Sequence, residues 1–188
     1  MKRCEWAKGE YNEQYHDQEW GKPQHDDQKL FEFLILEGMQ AGLSWVTILK
    51  KRAAFQKAFD YFDVQKVAAY DENKQLELLS NADIIRNRLK ISAAVSNARC
   101  FIEVQKEYGS FDRYLWQFTD YKQIVNAYTK QSEVPTHNEL SDRISKDLKK
   151  RGFRFVGTTI IYSYLEAIGM INDHMVWCRE YQNCITHD

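Results

Sequence analysis

Turn-forming residues are scarce in this chain. Its 188 residues include 2 Pro and 8 Gly, too few punctuators for a β-sandwich or barrel built from many short strands. Apolar residues recur instead at helical spacing. Asp26 or Asp27 can cap a helix to about Gln40, with Leu30, Phe33, Leu34 and Ala41 on one stripe. Gly42-Leu43 breaks it, and Ser44 can cap the next helix, to about Phe59. Asp63 starts a third helix, and Leu76, Leu78 and Leu79 belong to a fourth. After a break at Asn81-Ala82-Asp83, residues 87–107 read as one long helix. Short helices are expected near 111–118 and 120–128, and Pro135 ends a polar stretch. Ser141 begins a basic helix that Gly152 terminates. Residues 156–168 and 171–178 close the chain, and Phe153–Val156 is the strand-like stretch. The expectation is an all-α protein forming a single unit over 1–188.

Composition narrows the class. A hydrophobic fraction of 44% with 28% charged residues is globular. No window approaches the run of uncharged apolar residues a membrane span needs. The start, Met1-Lys2-Arg3-Cys4-Glu5, has no signal-peptide apolar region. A cytoplasmic protein is therefore expected, with its four cysteines as thiols or metal ligands rather than disulfides.

Net charge is −1, but the charges are segregated. Segments 47–57, 84–101 and 143–154 together carry +13 in 41 residues, leaving −14 on the other 147. Any one segment reads as a solvated helix face. Three acid-poor segments, if the fold gathers them, suit a polyanion.

Four candidate metal ligands lie at the two ends. His174 and Cys178 are spaced i, i+4, which would put both on one helix face. Cys4 and His16 can complete a Cys₂His₂ set, tetrahedral and closed when zinc is structural. The alternative is buried free cysteines and ordinary histidines.

Glu37 falls on the apolar stripe of its helix, while Glu32 falls off it. A buried carboxylate is costly unless partnered, so Glu37 is either a structural anchor or a group awaiting a ligand. Trp6, Tyr11, Tyr15, Trp20 and Trp45 make the surrounding sequence aromatic. Such walls with one inward acceptor suit a flat cationic ligand, though aromatics more simply build cores. The break at Asn81-Ala82-Asp83-Ile84-Ile85 has the outline of a helix-hairpin-helix, in which backbone amides grip a DNA phosphate. Arg86, Arg88 and Lys90 follow it. An ordinary helix–turn–helix connection is the alternative.

Taken in order, these pieces resemble the DNA-3-methyladenine glycosylase I (Tag) family of the helix-hairpin-helix superfamily. The resemblance runs from Cys4 to Cys178. It rests on Arg3-Cys4-Glu5-Trp6, on Tyr15 to Gly21 (YHDQEWG), on Leu36 to Trp45 (LEGMQAGLSW) and on Ile84 to Ile91 (IIRNRLKI). Lys149 to Thr159 (KKRGFRFVGTT) and Asn172-Asp173-His174 complete it. The resemblance implies an all-α fold with a helix-hairpin-helix part at about 60–135. It also implies one structural zinc joining the termini through Cys4, His16, His174 and Cys178. Glu37 would be the catalytic, base-recognising carboxylate, and Trp45 and Tyr15 would stack on the base with Trp6 and Trp20 nearby. Gly42, Leu43 and Ser44 would probe the duplex, and Arg86, Arg88 and Lys90 would meet its backbone. The implied activity flips 3-methyladenine out of double-stranded DNA and hydrolyses its glycosidic bond with no lyase step. A monomer is expected.

Two departures from the family pattern stand out. One extra residue separates Tyr11 from Tyr15, and Asp83 replaces the hairpin glycine. Two other classes share some features. A zinc-stapled binding module would not need an inward Glu37, and a zinc hydrolase or deaminase would need an open coordination position.

Overall fold

The structure is a computed structural model and describes residues 2–186. It is mostly helical. Among the described residues ten α-helices follow one another: α1 (Glu10–Gln18), α2 (Asp27–Gln40), α3 (Trp45–Ala58), α4 (Val64–Ala68), α5 (Glu72–Ser80), α6 (Arg88–Tyr108), α7 (Phe111–Trp116), α8 (Glu139–Lys150), α9 (Thr158–Ala167) and α10 (Glu180–Asn183).

Side-chain caps set most starts. The Asp26 carboxylate accepts from the Lys29 amide at 2.9 Å and begins α2. The Ser44 hydroxyl accepts from Thr47 and begins α3, and Asp63 does the same for α4. Each cap satisfies one of the amides that a helix start leaves without an internal partner. At the far end of α6, Gly109 takes the left-handed conformation at φ 87, where a side chain would be strained.

Helix α2 is the core element. Every residue from Leu30 to Met39 is buried, so it is enclosed on all sides rather than along one stripe. Phe31 packs edge-on to Phe101 of α6, which stacks on Phe111 of α7 at 4.0 Å. From α9, the Tyr164 hydroxyl donates to the Leu30 carbonyl.

Four details differ from the sequence reading. Residues 120–128 hold no helix. They contain β1 (Ile124–Val125), which pairs in parallel with β2 (Ile171–Asn172), Ile124 opposite Ile171. Phe153–Val156 forms no strand. Helix α8 starts at Glu139, with Asn138 rather than Ser141 as its cap. Residues 173–179 form a turn, not a helix. Among the described residues, no helix is long and apolar enough to cross a membrane.

Candidate active site

Helix α2 carries Glu37 into a cavity of about 360 Å³. Trp6, Tyr15, Trp20 and Trp45 line it with Glu37, so five of the residues singled out from sequence meet at one place. Tyr11 does not join them; it is 44% exposed, with Lys50 above its ring. Tyr11 is not among the residues that line the cavity.

The aromatic walls brace one another. Trp6 meets Trp20 edge-on with ring centroids 4.9 Å apart, and Tyr15 leans on Trp45 at 5.3 Å. The buried indole N–H of Trp45 donates to nothing among the described residues. Glu37 is 4% exposed. Burial alone pushes its carboxyl up to about 8, with no partner charge or hydrogen bond to pull it back. A carboxyl in this state favours a ligand that brings positive charge or donors with it.

The rest of the lining was not legible in the sequence. Gln131, Val134, Pro135 and Thr136 come from the polar stretch before α8, and Thr159, Tyr162, Ser163 and Glu166 from α9. Glu166 is thus a second carboxyl on the cavity. Burial, then Asp173, then Glu37 hold its pKa well above the usual range. Asp173 behind it accepts from the Tyr162 hydroxyl at 2.6 Å and the Asn126 amide at 2.7 Å.

The terminal cluster backs the cavity. Ligand atoms of Cys4, His16 and Cys178 lie within 4.8 Å of one another, all three residues buried. The fourth residue, His174, stands beside this group, its ring 4.8 Å from that of His16. The chain reverses after His174, and Cys178 closes a turn by donating its amide to the Met175 carbonyl. The ligands are therefore brought together by a turn and not by a shared helix face.

The donor set fits a metal ion. Each imidazole has one nitrogen held by an oxygen: His16 Nδ1 by Asp17 at 2.9 Å and His174 Nδ1 by Asn172 at 2.9 Å. That arrangement orients an imidazole for ligation through its other nitrogen. His16 Nε2 sits 3.4 Å from Cys178 Sγ. His174 Nε2 is buried with no hydrogen-bond partner among the described residues. The Cys4 hydrogen bond, working with His16 against burial, holds the Cys178 thiol well below the usual thiol range. Gly21 is required here, since a Cβ would lie 2.8 Å from the His174 ring. His16 and His174 also touch Trp6 and Trp20 at centroid distances of 5.4 and 4.5 Å, so the cluster buttresses the aromatic walls.

Helices α2 and α3 are joined by the exposed loop Gly42-Leu43-Ser44, where Leu43 is 40% exposed. Helices α5 and α6 are joined by residues 81–87, with the Asp83 amide donating to the Asn81 side chain at 2.9 Å. This small turn supplies locally what a glycine would otherwise supply by conformational freedom. Arg86 and Arg88 are exposed.

Lys90 does not join them on the surface. It is 8% exposed, and its ammonium donates to the carbonyls of Met39 at 2.8 Å and Ala41 at 2.6 Å. Its place as a free phosphate contact is corrected accordingly. The basic segments are also partly spent inside the protein. Arg52 pairs with Glu19 and Glu32, and Arg151 with Glu107 and Asp147. Glu107 lies near the far end of α6, roughly 25 Å along the helix from Lys90, while segment 143–154 meets segment 84–101 where Arg154 and Asn97 exchange hydrogen bonds.

These features have counterparts in known proteins. A family model described as methyladenine glycosylase matches residues 6–181. The chain is 47% identical to DNA-3-methyladenine glycosylase 1 of Escherichia coli (strain K12), over 95% of this chain and 96% of that protein. It is 43% identical to the DNA-3-methyladenine glycosylase of Haemophilus influenzae, over 94% and 96%. The solved structure of 3-methyladenine DNA glycosylase I from Staphylococcus aureus superposes with a TM-score of 0.94 at 34% identity, covering 100% of this chain and 99% of that one. The chain belongs to the methyladenine glycosylase family, as a Tag-type DNA-3-methyladenine glycosylase I, a hydrolase of N-glycosyl bonds.

Proposed function

We propose that this protein flips 3-methyladenine out of duplex DNA and hydrolyses its N-glycosidic bond, leaving an abasic site in an intact strand. One observation carries the reading: the buried, unpartnered carboxyl of Glu37 inside an aromatic cavity. The Staphylococcus aureus relative was solved to define the structural basis of 3-methyladenine recognition, which supports the same ligand class here.

The chemistry suits this arrangement. A 3-methyladenine base is cationic while attached to deoxyribose, so it is already a good leaving group. The bond between base nitrogen and C1′ breaks, the base departs neutral with the electron pair, and water adds to C1′ and loses a proton. Enclosing the base between Tyr15 and Trp45 stabilises its charge through the ring faces. Glu37 accepts from the exocyclic amine and, once ionised, offsets the cation as charge develops on the sugar. A strong general base is less needed than for a normal purine. With no lysine among the cavity-lining residues, a monofunctional reaction is the better fit.

In this reading Gly42-Leu43-Ser44 enters the gap left by the flipped base. The 81–87 turn acts as a helix-hairpin-helix, its amides and Arg86 and Arg88 meeting phosphates. One zinc ion held by Cys4, His16, His174 and Cys178 has a structural role. When bound it would tie the segments that carry Cys4 and Cys178 together behind Trp6 and Trp20. The protein acts as a monomer.

The test is an end-labelled duplex carrying a single 3-methyladenine. The protein should create a site that breaks under alkali and stays intact without it. Strand breakage without alkali would overturn the monofunctional reading.

A further inference from the structure

The C-terminal end of α2 is unusually dependent on a residue from elsewhere. A helix leaves its last four carbonyls without internal partners. In α2, Gly38 O accepts from the Ala41 amide and Gln40 O from the Leu43 amide. Between them, Met39 O accepts from Lys90 Nζ at 2.8 Å, and the same ammonium holds Ala41 O at 2.6 Å. The last turn of α2 contains no basic residue of its own, so Lys90 is the cation that complements this helix end.

Lys90 sits in the first turn of α6, directly after the 81–87 turn. A second lysine reaches the other way. Lys51, in α3 directly after the Gly42-Leu43-Ser44 loop, places its Nζ 3.0 Å from Asp83 O and 3.4 Å from Ala82 O. Each of the two DNA-directed segments is thus held at its backbone by a lysine from the helix that follows the other. The carbonyls gripped by Lys90 have little freedom to shift, because moving apart would strand a buried ammonium; the Lys51 contacts are exposed and give a weaker support.

We infer that Lys90, supported by Lys51, is a positioning residue that sets the register between the phosphate-gripping turn and the probing loop. Grip on the backbone then delivers Leu43 to the base stack at a fixed offset. The inference rests on the proposed roles of those two segments. It also gives the buried Lys90 of the acid-poor segment 84–101 a role inside the protein rather than on its surface.

The test compares Lys90→Met, which keeps the stem and removes the ammonium, with the wild-type protein. Three quantities are measured on each: melting temperature, affinity for free 3-methyladenine by tryptophan fluorescence, and single-turnover excision from a 3-methyladenine duplex. Loss of register should slow duplex excision about 10-fold or more, the scale of a lost charged hydrogen bond. Free-base affinity should stay within about 2-fold, because Lys90 is not among the residues that line the cavity. The loss should shrink when the lesion is mispaired and flips at lower cost. Free-base affinity falling in step with excision would instead mean a loosened α2, and unchanged excision by folded Lys90→Met would mean no positioning role. Either result overturns the inference. Should Lys90→Met not fold, Lys51→Met at its half-buried position carries the same expectation with a smaller loss. A wild-type protein that releases no 3-methyladenine would sink the proposed function itself, a result separable from both.

Discussion

Glu37 of α2 and Glu166 of α9 face one cavity, and the charge of Glu37 opposes ionisation of Glu166. Among the described residues neither carboxyl is paired with a cation, and burial raises the pKa of both. The four residues of the terminal cluster stand behind the same aromatic walls, which links the staple at the chain ends to the shape of the pocket.

Glu37→Gln separates recognition from stability. A carboxyl whose pKa rises on folding, here to about 8 from 4.5, releases its proton in the unfolded chain first. Folded-state stability therefore falls as pH climbs from about 4.5 to about 8. Glu37→Gln removes that penalty, so its melting temperature should exceed that of the wild type by a margin that grows from pH 5 to pH 8. Excision should fall by about 10- to 150-fold, the loss of a charge-assisted hydrogen bond of roughly 1.5–3 kcal/mol. Melting and single-turnover excision on the same samples check both halves. Normal excision would remove Glu37 from the chemistry.

Glu32 is the contrasting carboxyl. It is buried, but Lys29, Arg52 and Gln56 all donate to it. Burial is outweighed by Arg52 and the other donors, and its pKa is lowered. Glu32→Ala leaves the 14%-exposed Arg52 with only Glu19. Breaking such a buried pair should cost about 3–5 kcal/mol, read by denaturant melts, with excision per folded molecule unchanged.

The contrast between these two glutamates shows what the sequence carried and what it lacked. The caps at Asp26, Ser44 and Asp63 and the stop at Gly152 are local chemistry and were readable. So was Glu37, through its place among apolar neighbours. Glu32 was not, because α2 is enclosed on every side and its pattern offers no polar face to reveal a buried ion pair. Lys90 reads as surface charge because its partners are backbone carbonyls some fifty positions earlier, which no spacing records. The 131–136 wall and Glu166 reach the cavity only through tertiary packing. The metal-ligand candidates were found by residue type, while the turn that joins His174 to Cys178 was mistaken for a helix because the spacing fits both.

Metal content is directly measurable. Freshly purified protein should carry one zinc per chain by elemental analysis. Chelation, or Cys178→Ser, should lower the melting temperature more than it changes excision by the molecules that stay folded. Metal-free protein of undiminished stability would contradict a structural zinc.

Arg86 and Lys90 should now part company in DNA binding. Arg86 is exposed, so Arg86→Ala should weaken binding to any duplex and flatten the salt dependence by about one phosphate contact. Lys90→Met should leave that slope unchanged, since its charge is already committed to Met39 and Ala41. Filter binding across a salt series distinguishes them, and equal slopes for wild type and Arg86→Ala would take Arg86 off the interface.

The most direct measurement is to incubate the folded, zinc-loaded protein with methylated duplex DNA and identify the released bases by chromatography. The account predicts free 3-methyladenine as the principal product, strongly reduced in Glu37→Gln. Methylated DNA that yields no free 3-methyladenine would contradict it and leave a protein that binds DNA without cutting the glycosidic bond.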